Sequence, residues 1–337
     1  MSGLLICTQV VDERDENLGF FVSWLRAFAA SGRQIYVLAW RVDSTTKLPP
    51  NVHVTQMPKG KLRRTFTLWS FTLKHRKDFD SVFVHMMAPV AVVSGWLWKI
   101  LGMRVALWYT HGDVPLSLKT ANIFVDHIFT ATEDSMRLKT SKKIVTGHGI
   151  DLDIYKAQNI PRRPLLISVG RIAPRKDQIA FVKLCAHLRD AGISFSAMIV
   201  GLPRVAGDVA YSEEVMKAIA SNHLESIVEM VGSKTGSELI KIYSEAALFV
   251  STSKTGSLDK VVLESLACET PAIAIGESFR GFPGVTIVPD VVGDEAFDIV
   301  RGALAHPIAH PEARAGVAAK ADLHLLIKKL ESNLYAK

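Results

Sequence analysis

LLISVGRIAPRKDQIAFVKLCAHLRDAG, residues 165–192, carries both hydrophobic periods of an α/β unit in one stretch. The unbroken apolar run Leu165–Val169 has the pattern of a strand buried on both faces, and it stops at Gly170. A loop with Arg171, Arg175 and Lys176 follows. Asp177 then stands where a helix N-cap is expected, ahead of Phe181, Leu184, Cys185 and Leu188 at the 3.6-residue period, and Gly192 is a stop signal. Strand, basic loop and helix in that order set cations beside unpaired helix N-terminal amides, which suits an anion such as a diphosphate. A solvated basic loop would use the same residues.

The same alternation extends in both directions. Strand patterns precede the quoted stretch at 4–10, 34–40, 52–57, 81–86, 104–110, 127–132 and 143–146, with helical patterns at 19–31 and 89–101. Others follow it at 195–200, 227–231, 248–251, 271–275 and 285–288, with helices at 237–246, 258–268 and within 311–335. Pro161, Arg162, Arg163 and Pro164 form a linker-like break. The reading is an α/β protein of two doubly wound, Rossmann-like domains facing across a cleft, residues 1–155 and 156–319. A C-terminal helix, about 320–337, is placed to pack back on the first. Ligands in such sheets bind at the carboxyl ends of the strands.

The chain has 337 residues, 48% of them hydrophobic and 22% charged, which excludes a disordered protein. Its net charge of +7 suits an anionic partner without naming one. Cys7, Cys185 and Cys268 sit in apolar runs without metal-ligand spacing, so buried free thiols in a reducing compartment are expected. The first residues read as a strand and not as a signal peptide, and the apolar run 88–101 is too short to span a bilayer. These features predict a cytoplasmic protein.

LFVSTSKTGSLDKVVLESLACETPAI, residues 248–273, repeats the strand–loop–helix design. Gly256 permits close backbone approach to a ligand. Glu264 lies among Val261, Val262, Leu263 and Leu266, where a carboxylate is costly unless it accepts hydrogen bonds. Ribose hydroxyls would serve, and so would Lys260, four residues earlier on the same helix face.

Six segments resemble the family-4 retaining glycosyltransferases, sugar-nucleotide enzymes of the GT-B fold, in a bacterial branch. SVGRIAPRKD (168–177) resembles the donor-diphosphate segment, which implies phosphate-binding and catalytic roles for Arg171 and Lys176 beside Gly170. TGHGIDLDIY (146–155) resembles the interdomain stretch, and IVEMVG (227–232) the strand whose end, at Gly232, meets the nucleobase. VVLESLACETPAI (261–273) resembles the ribose segment, which implies that role for Glu264. LGFFVSWLRAFA (18–29) and WYTHG (108–112) complete the likeness. They imply a phosphate- and acceptor-side loop at Gly19 and a donor-sugar contact at His111. His85, at the end of SVFVH, and Asp12, in an acidic stretch before Gly19, are candidates on the acceptor side.

The family usually has a second glutamate eight residues before Glu264, where this chain has Gly256. Either Gly256, Ser257, Leu258, Asp259 and Lys260 do its work, or the enzyme is slow or inactive; the first reading is preferred. The resemblance implies retaining, metal-independent transfer from a UDP- or GDP-sugar, with no cofactor, to a saccharide or lipid-linked acceptor in cell-surface polysaccharide synthesis. Asp151 and Asp153 spell a D-x-D but lie in the interdomain stretch, so no metal is expected there. KGKLRRTFTLWSFTLKHRK, residues 59–77, is basic and aromatic-rich. It could lie on an anionic inner membrane surface as a peripheral contact, or pack its apolar face on its own sheet. The rivals are a sugar-nucleotide epimerase on the same fold, a non-catalytic sugar-nucleotide-binding partner, and a nucleic-acid-binding protein. The last lacks the expected modules, so no nucleic acid is expected.

Overall fold

The computed structural model describes residues 3–254 and 256–335. The chain forms two compact units, Met1–Gly149 with Leu323–Lys337, and Ile150–Asp322. The first holds strands β1 (Gly3–Val11), β2 (Ile35–Val42), β3 (Val52–Gln56), β4 (Phe79–His85), β5 (Arg104–Trp108), β6 (His127–Thr130) and β7 (Lys143–Val145). They make one parallel sheet in the order β3-β2-β1-β4-β5-β6-β7. Cys7 of the central strand pairs with Leu38 on one side and Val84 on the other. Leu4, Leu5 and Ile6 are all fully buried, which is why this strand reads as an unbroken apolar run and not an alternating one.

Helices α1 (Phe21–Ala29) and α11 (Leu323–Tyr335) cover one face of that sheet. The other face packs against α2 (Lys61–Lys74), α3 (Ala88–Ile100) and α4 (Leu116–Phe124). All six tryptophans of the chain fall in this unit.

The second unit has β8 (Leu165–Val169), β9 (Ser196–Val200), β10 (Val228–Met230), β11 (Leu248–Ser251), β12 (Ala272–Ala274) and β13 (Val285–Ile287). They are again parallel, in the order β10-β9-β8-β11-β12-β13. Helices α5 (Gln178–Asp190), α6 (Ala206–Ser221) and α9 (Asp294–Ala305) cover one face. Helices α7 (Gly236–Glu245), α8 (Lys260–Ala267) and α10 (Pro311–Lys320) cover the other. The chain is therefore α/β with two Rossmann-like domains. Strand order reverses between β1 and β4 in one sheet and between β8 and β11 in the other, the switch points at which such sheets bind ligands.

Two features differ from the sequence expectation. The division falls after Gly149 and not after residue 155. Arg314 is the physical reason: its guanidinium donates to the carbonyls of Leu152, Tyr155 and Ala267 at 2.8, 2.6 and 2.7 Å, tying 152–155 into the second unit. The linker-like 161–164 is likewise built in, because Arg162 donates to Ala246 O, Thr270 Oγ1, Cys268 O and Glu269 O at 2.7–2.9 Å. The helical region 311–335 is two helices, the second beginning close to the expected start of the C-terminal helix. They break at Ala321–Asp322, where Ile150 N donates to Ala321 O at 2.7 Å and Ile150 bridges Asp322. Residues 336–337 of the expected helix lie outside the described residues.

Cys7, Cys185 and Cys268 are buried free thiols, and burial pushes Cys7 and Cys268 up to about 12. Among the described residues no helix is long and apolar enough to cross a membrane.

Candidate functional site

The second unit's switch point is closed by glycines. Val169-Gly170, Val200-Gly201 and Val231-Gly232 stand at the ends of β8, β9 and β10. Gly170 N donates to Val200 O at 2.9 Å, and Gly201 N donates to Gly232 O at 2.8 Å. Gly170, Gly201 and Gly232 have φ of +142°, +147° and +70°. Gly201 is the most constrained, since a Cβ there would lie 1.9 Å from the Gly170 carbonyl oxygen. The sequence reading missed Gly201, although the repeated Val-Gly at three successive strand ends was a visible signal.

Beyond Gly170 the loop turns through one 3-10 turn, Pro174–Lys176. Asp177 (φ +48°) then caps α5, accepting from Ala180 N at 3.4 Å and pairing with Lys254 at 2.5 Å. Ile179 N is satisfied by the Tyr211 hydroxyl at 3.2 Å. The first amides of α5 are thus taken by the chain's own groups, and the expected picture of two cations beside open amides of that helix is corrected.

The two cations also have partners, far away in sequence. Arg171 Nε donates to Asp208 Oδ2 in a short contact, while Asp208 also accepts from Arg204 N and Val205 N at 3.1 and 3.4 Å. The Arg171 hydrogen bond holds the Asp208 carboxyl below its usual range. Lys176 Nζ donates to Asp259 Oδ1 at 2.7 Å, both side chains being less than one-fifth exposed. The Lys176 carbonyl accepts from Thr252 Oγ1 at 2.5 Å. A small hollow at the ends of β8 and β11 is lined by Ser168, Val169, Lys176, Thr252, Ser253 and Asp259. Lys176 is therefore at the switch point, and Asp259, the N-cap of α8, turns its carboxylate to that lysine instead of capping the helix.

The 252–259 loop has Gly256 at φ +66°. Ser257 Oγ donates to Asp259 Oδ1 at 3.5 Å, the Ser257 carbonyl accepts from Ser278 Oγ at 3.2 Å, and Leu258 is buried. One turn into α8, Glu264 is buried, with Lys260 Nζ at 3.0 Å and the Tyr243 hydroxyl donating at 3.3 Å. The Tyr155 hydroxyl also hydrogen-bonds to it; burial and then the Glu264 charge raise the pKa of both tyrosines. Lys260, left open beside ribose as a partner for Glu264, is in place. A carboxylate can accept about four hydrogen bonds, so three donors leave room for another.

In the first unit, Gly19 is fixed by the carbonyls of Glu13 and Asp15, each 2.6 Å from where a Cβ would lie. Asp12 accepts from Arg14 N at 2.9 Å and lies 3.8 Å from Arg41, within an ion network with Asp15 and Asp43. His111 is exposed beyond β5, edge-on to Tyr109 at 5.6 Å. His85 ends β4. It is 1% exposed, stacked on Phe21 at 3.9 Å, and hydrogen-bonded through Nδ1 to Thr8 Oγ1 at 3.2 Å. Burial lowers its pKa to about 3, which favours the neutral ring.

Asp151, the first residue of the D-x-D, accepts from Asp153 N and Ile154 N at 3.1 and 3.2 Å and shapes a turn.

The family comparison falls on the second unit. Residues 152–287 match the model of the family described as Glycosyl transferases group 1. The matched stretch lies within the second unit. Among curated relatives, WcaL of Escherichia coli (strain K12), named as a provisional colanic acid biosynthesis glycosyltransferase, is 23% identical over 159 residues, 44% of this chain and 38% of its own length. The sulfoquinovosyl transferase SQD2 of Arabidopsis thaliana is 24% identical over 200 residues, 56% of this chain and 36% of its own. The matched region spans little more than a third of the length of either relative. Among solved structures, Anabaena HepE in complex with UDP-glucose superposes with a TM-score of 0.75 at 14% identity, covering 100% of both chains. At that identity the likeness concerns the fold.

Proposed function

We propose that this chain is a retaining glycosyltransferase that moves a sugar from a nucleotide diphosphate donor to a saccharide or lipid-linked acceptor in cytoplasmic synthesis of surface polysaccharide. The observation that carries the reading is Lys176, held 2.7 Å from Asp259 at the carboxyl ends of β8 and β11, inside the family-matched region. A half-buried lysine at a switch point with an exchangeable carboxylate partner is a ready counterion for a diphosphate.

In this reading the donor's pyrophosphate takes over Lys176 from Asp259, while Arg171 and the first amides of α8 meet the remaining oxygens. The base lies by Gly232, and a ribose hydroxyl donates to Glu264. Gly170 and Gly256 let the backbone approach, with Ser257, Leu258 and Lys260 completing the wall. His111 meets the donor sugar, and Gly19 and Asp12 belong to the acceptor side. The bond from anomeric carbon to phosphate oxygen breaks. The acceptor hydroxyl oxygen forms its new bond on the same face, and its proton goes to the departing phosphate. The leaving charge is steadied by side chains and amides, so no metal ion or other cofactor is invoked. UDP-glucose in the HepE complex favours a UDP-sugar as the first donor to try.

The experiment is a thermal-shift screen of UDP-, GDP- and ADP-sugars, followed by transfer and hydrolysis assays on the best binder. Stabilisation by one sugar nucleotide with turnover in the presence of a chelator is expected; no binding, or a strict divalent-metal requirement, counts against the scheme. Asp259→Ala tests the exchangeable partner, since unchanged turnover removes that carboxylate from the site. Gly256 in place of a glutamate favours one second reading, a sugar-nucleotide-binding protein without catalysis. It would show binding without transfer or hydrolysis.

A further inference from the structure

Helices α2 and α3 lie side by side on one face of the first unit, and each carries an apolar stripe that faces away from the core. On α2 the core takes only Leu68 and Thr72, with Phe71 half-buried against Tyr36 and Phe79. Leu62, Phe66, Trp69 and Leu73 recur at the 4-3-4 spacing of a single helix face, with Leu62 76% and Phe66 65% exposed. On α3 the spacing repeats as Pro89, Val93, Trp96 and Ile100, of which Ile100 is 75% exposed.

The stripes join at Trp69 and Trp96, whose rings meet edge to face at 5.6 Å. Both indole N–H groups donate to the Val93 carbonyl, at 3.1 and 3.0 Å. Both rings can therefore enter an apolar phase without stranding a donor, a cost that usually keeps tryptophan at the wet edge.

Positive charge lies at both ends of α2. Residues 59–77 contain seven Lys and Arg and no Asp or Glu. Among the described residues Lys59, Lys61, Arg63, Lys74 and Lys77 are exposed and form no ion pair with the chain. An apolar seam two helices wide, with uncompensated cations at both ends of α2, complements a partner that offers hydrocarbon beneath a sheet of negative charge.

We infer that the exposed faces of α2 and α3 together form a docking platform for an anionic lipid bilayer, with Leu62, Phe66, Trp96 and Ile100 entering the interface and the cations of 59–77 meeting the headgroups. A nucleic acid would answer the charge but gives no partner to Leu62 or Ile100. The inference rests on the first unit alone and stands whether or not the second unit transfers sugar.

Flotation with vesicles tests it, using phosphatidylcholine alone and phosphatidylcholine with one-third phosphatidylglycerol. The intact protein is expected to float with the anionic vesicles and to be released by salt. Lys61→Gln/Arg63→Gln/Lys74→Gln should weaken binding about fivefold for each cation removed. Phe66→Ser/Ile100→Ser should abolish binding at the same salt, with an unchanged thermal midpoint and unchanged sugar-nucleotide binding. Binding that survives both variants overturns the platform. So does a protein that ignores vesicles but elutes as a dimer broken by Phe66→Ser/Ile100→Ser, which would make the seam a contact between copies, or one retained by RNA and not by lipid.

Discussion

Lys176 and Arg171 are separated by five positions, yet the chain secures them to carboxylates 83 and 37 residues away. Local sequence shows a basic loop and a helix start; it cannot show Asp208 or Asp259 arriving from α6 and α8. The cations were therefore legible and their compensation was not. The same holds for His85, whose place at a strand end was legible and whose enclosure by Thr8, Phe21 and Trp24 was not. Three predictions belong at this scale. Lys176→Ala should lower kcat/KM about 100- to 1,000-fold in a transfer assay, with the melting temperature little changed. Gly201→Ala sets a methyl against the Gly170 carbonyl at a left-handed φ, and should destabilise the second unit by about 1–3 kcal/mol in denaturant titration. His85 has a folded pKa below its unfolded one, so the unfolded chain binds the extra proton and stability falls as pH drops from about 6.5 toward 3. His85→Phe should flatten unfolding free energy against pH in that window by up to about 1.4 kcal/mol per unit.

At the scale of elements, every parallel strand announces itself. Runs such as Leu4–Ile6 and Leu165–Ile167 are buried on both faces, and their apolar continuity survives without any partner in view. Helices α4, α6 and α9 were not anticipated, and the reason is visible in α6. Its N-cap is Val205, whose side chain has no capping group, and its first turn is organised by Asp208, itself committed to Arg171. The break between α10 and α11 falls where the separate C-terminal helix was expected to begin, and it is set by Ile150 reaching Ala321 across 171 positions of chain. The α2 sequence supported both a packed helix and an exposed one. Leu68 and Thr72 point inward while Leu62, Phe66 and Leu73 do not, and the outward stripe acquires its width only beside α3.

Across the whole molecule, α11 belongs to the first unit although it follows the second in sequence. Leu323, Leu326, Ile327, Leu330 and Leu334 are at most 3% exposed in that unit's core. At about 1.5–3 kcal/mol for each such side chain as an upper estimate, their sum rivals the net stability of a typical domain. A chain ended after Asp322 should therefore lose its first unit and keep its second. Because every tryptophan lies in the first, indole emission should shift toward that of free solution while far-UV ellipticity falls only in part. Native-like emission from the shortened chain would show that α1 and the sheet suffice. The same interleaving has a kinetic consequence during synthesis. A ribosome working from the first codon finishes Ile150–Asp322 before it makes the helix that closes Gly3–Gly149. The earlier-made half must wait, with α1 and its side of the sheet uncovered, until the later-made half has emerged, so nascent-chain chaperones should engage the first 149 residues longest.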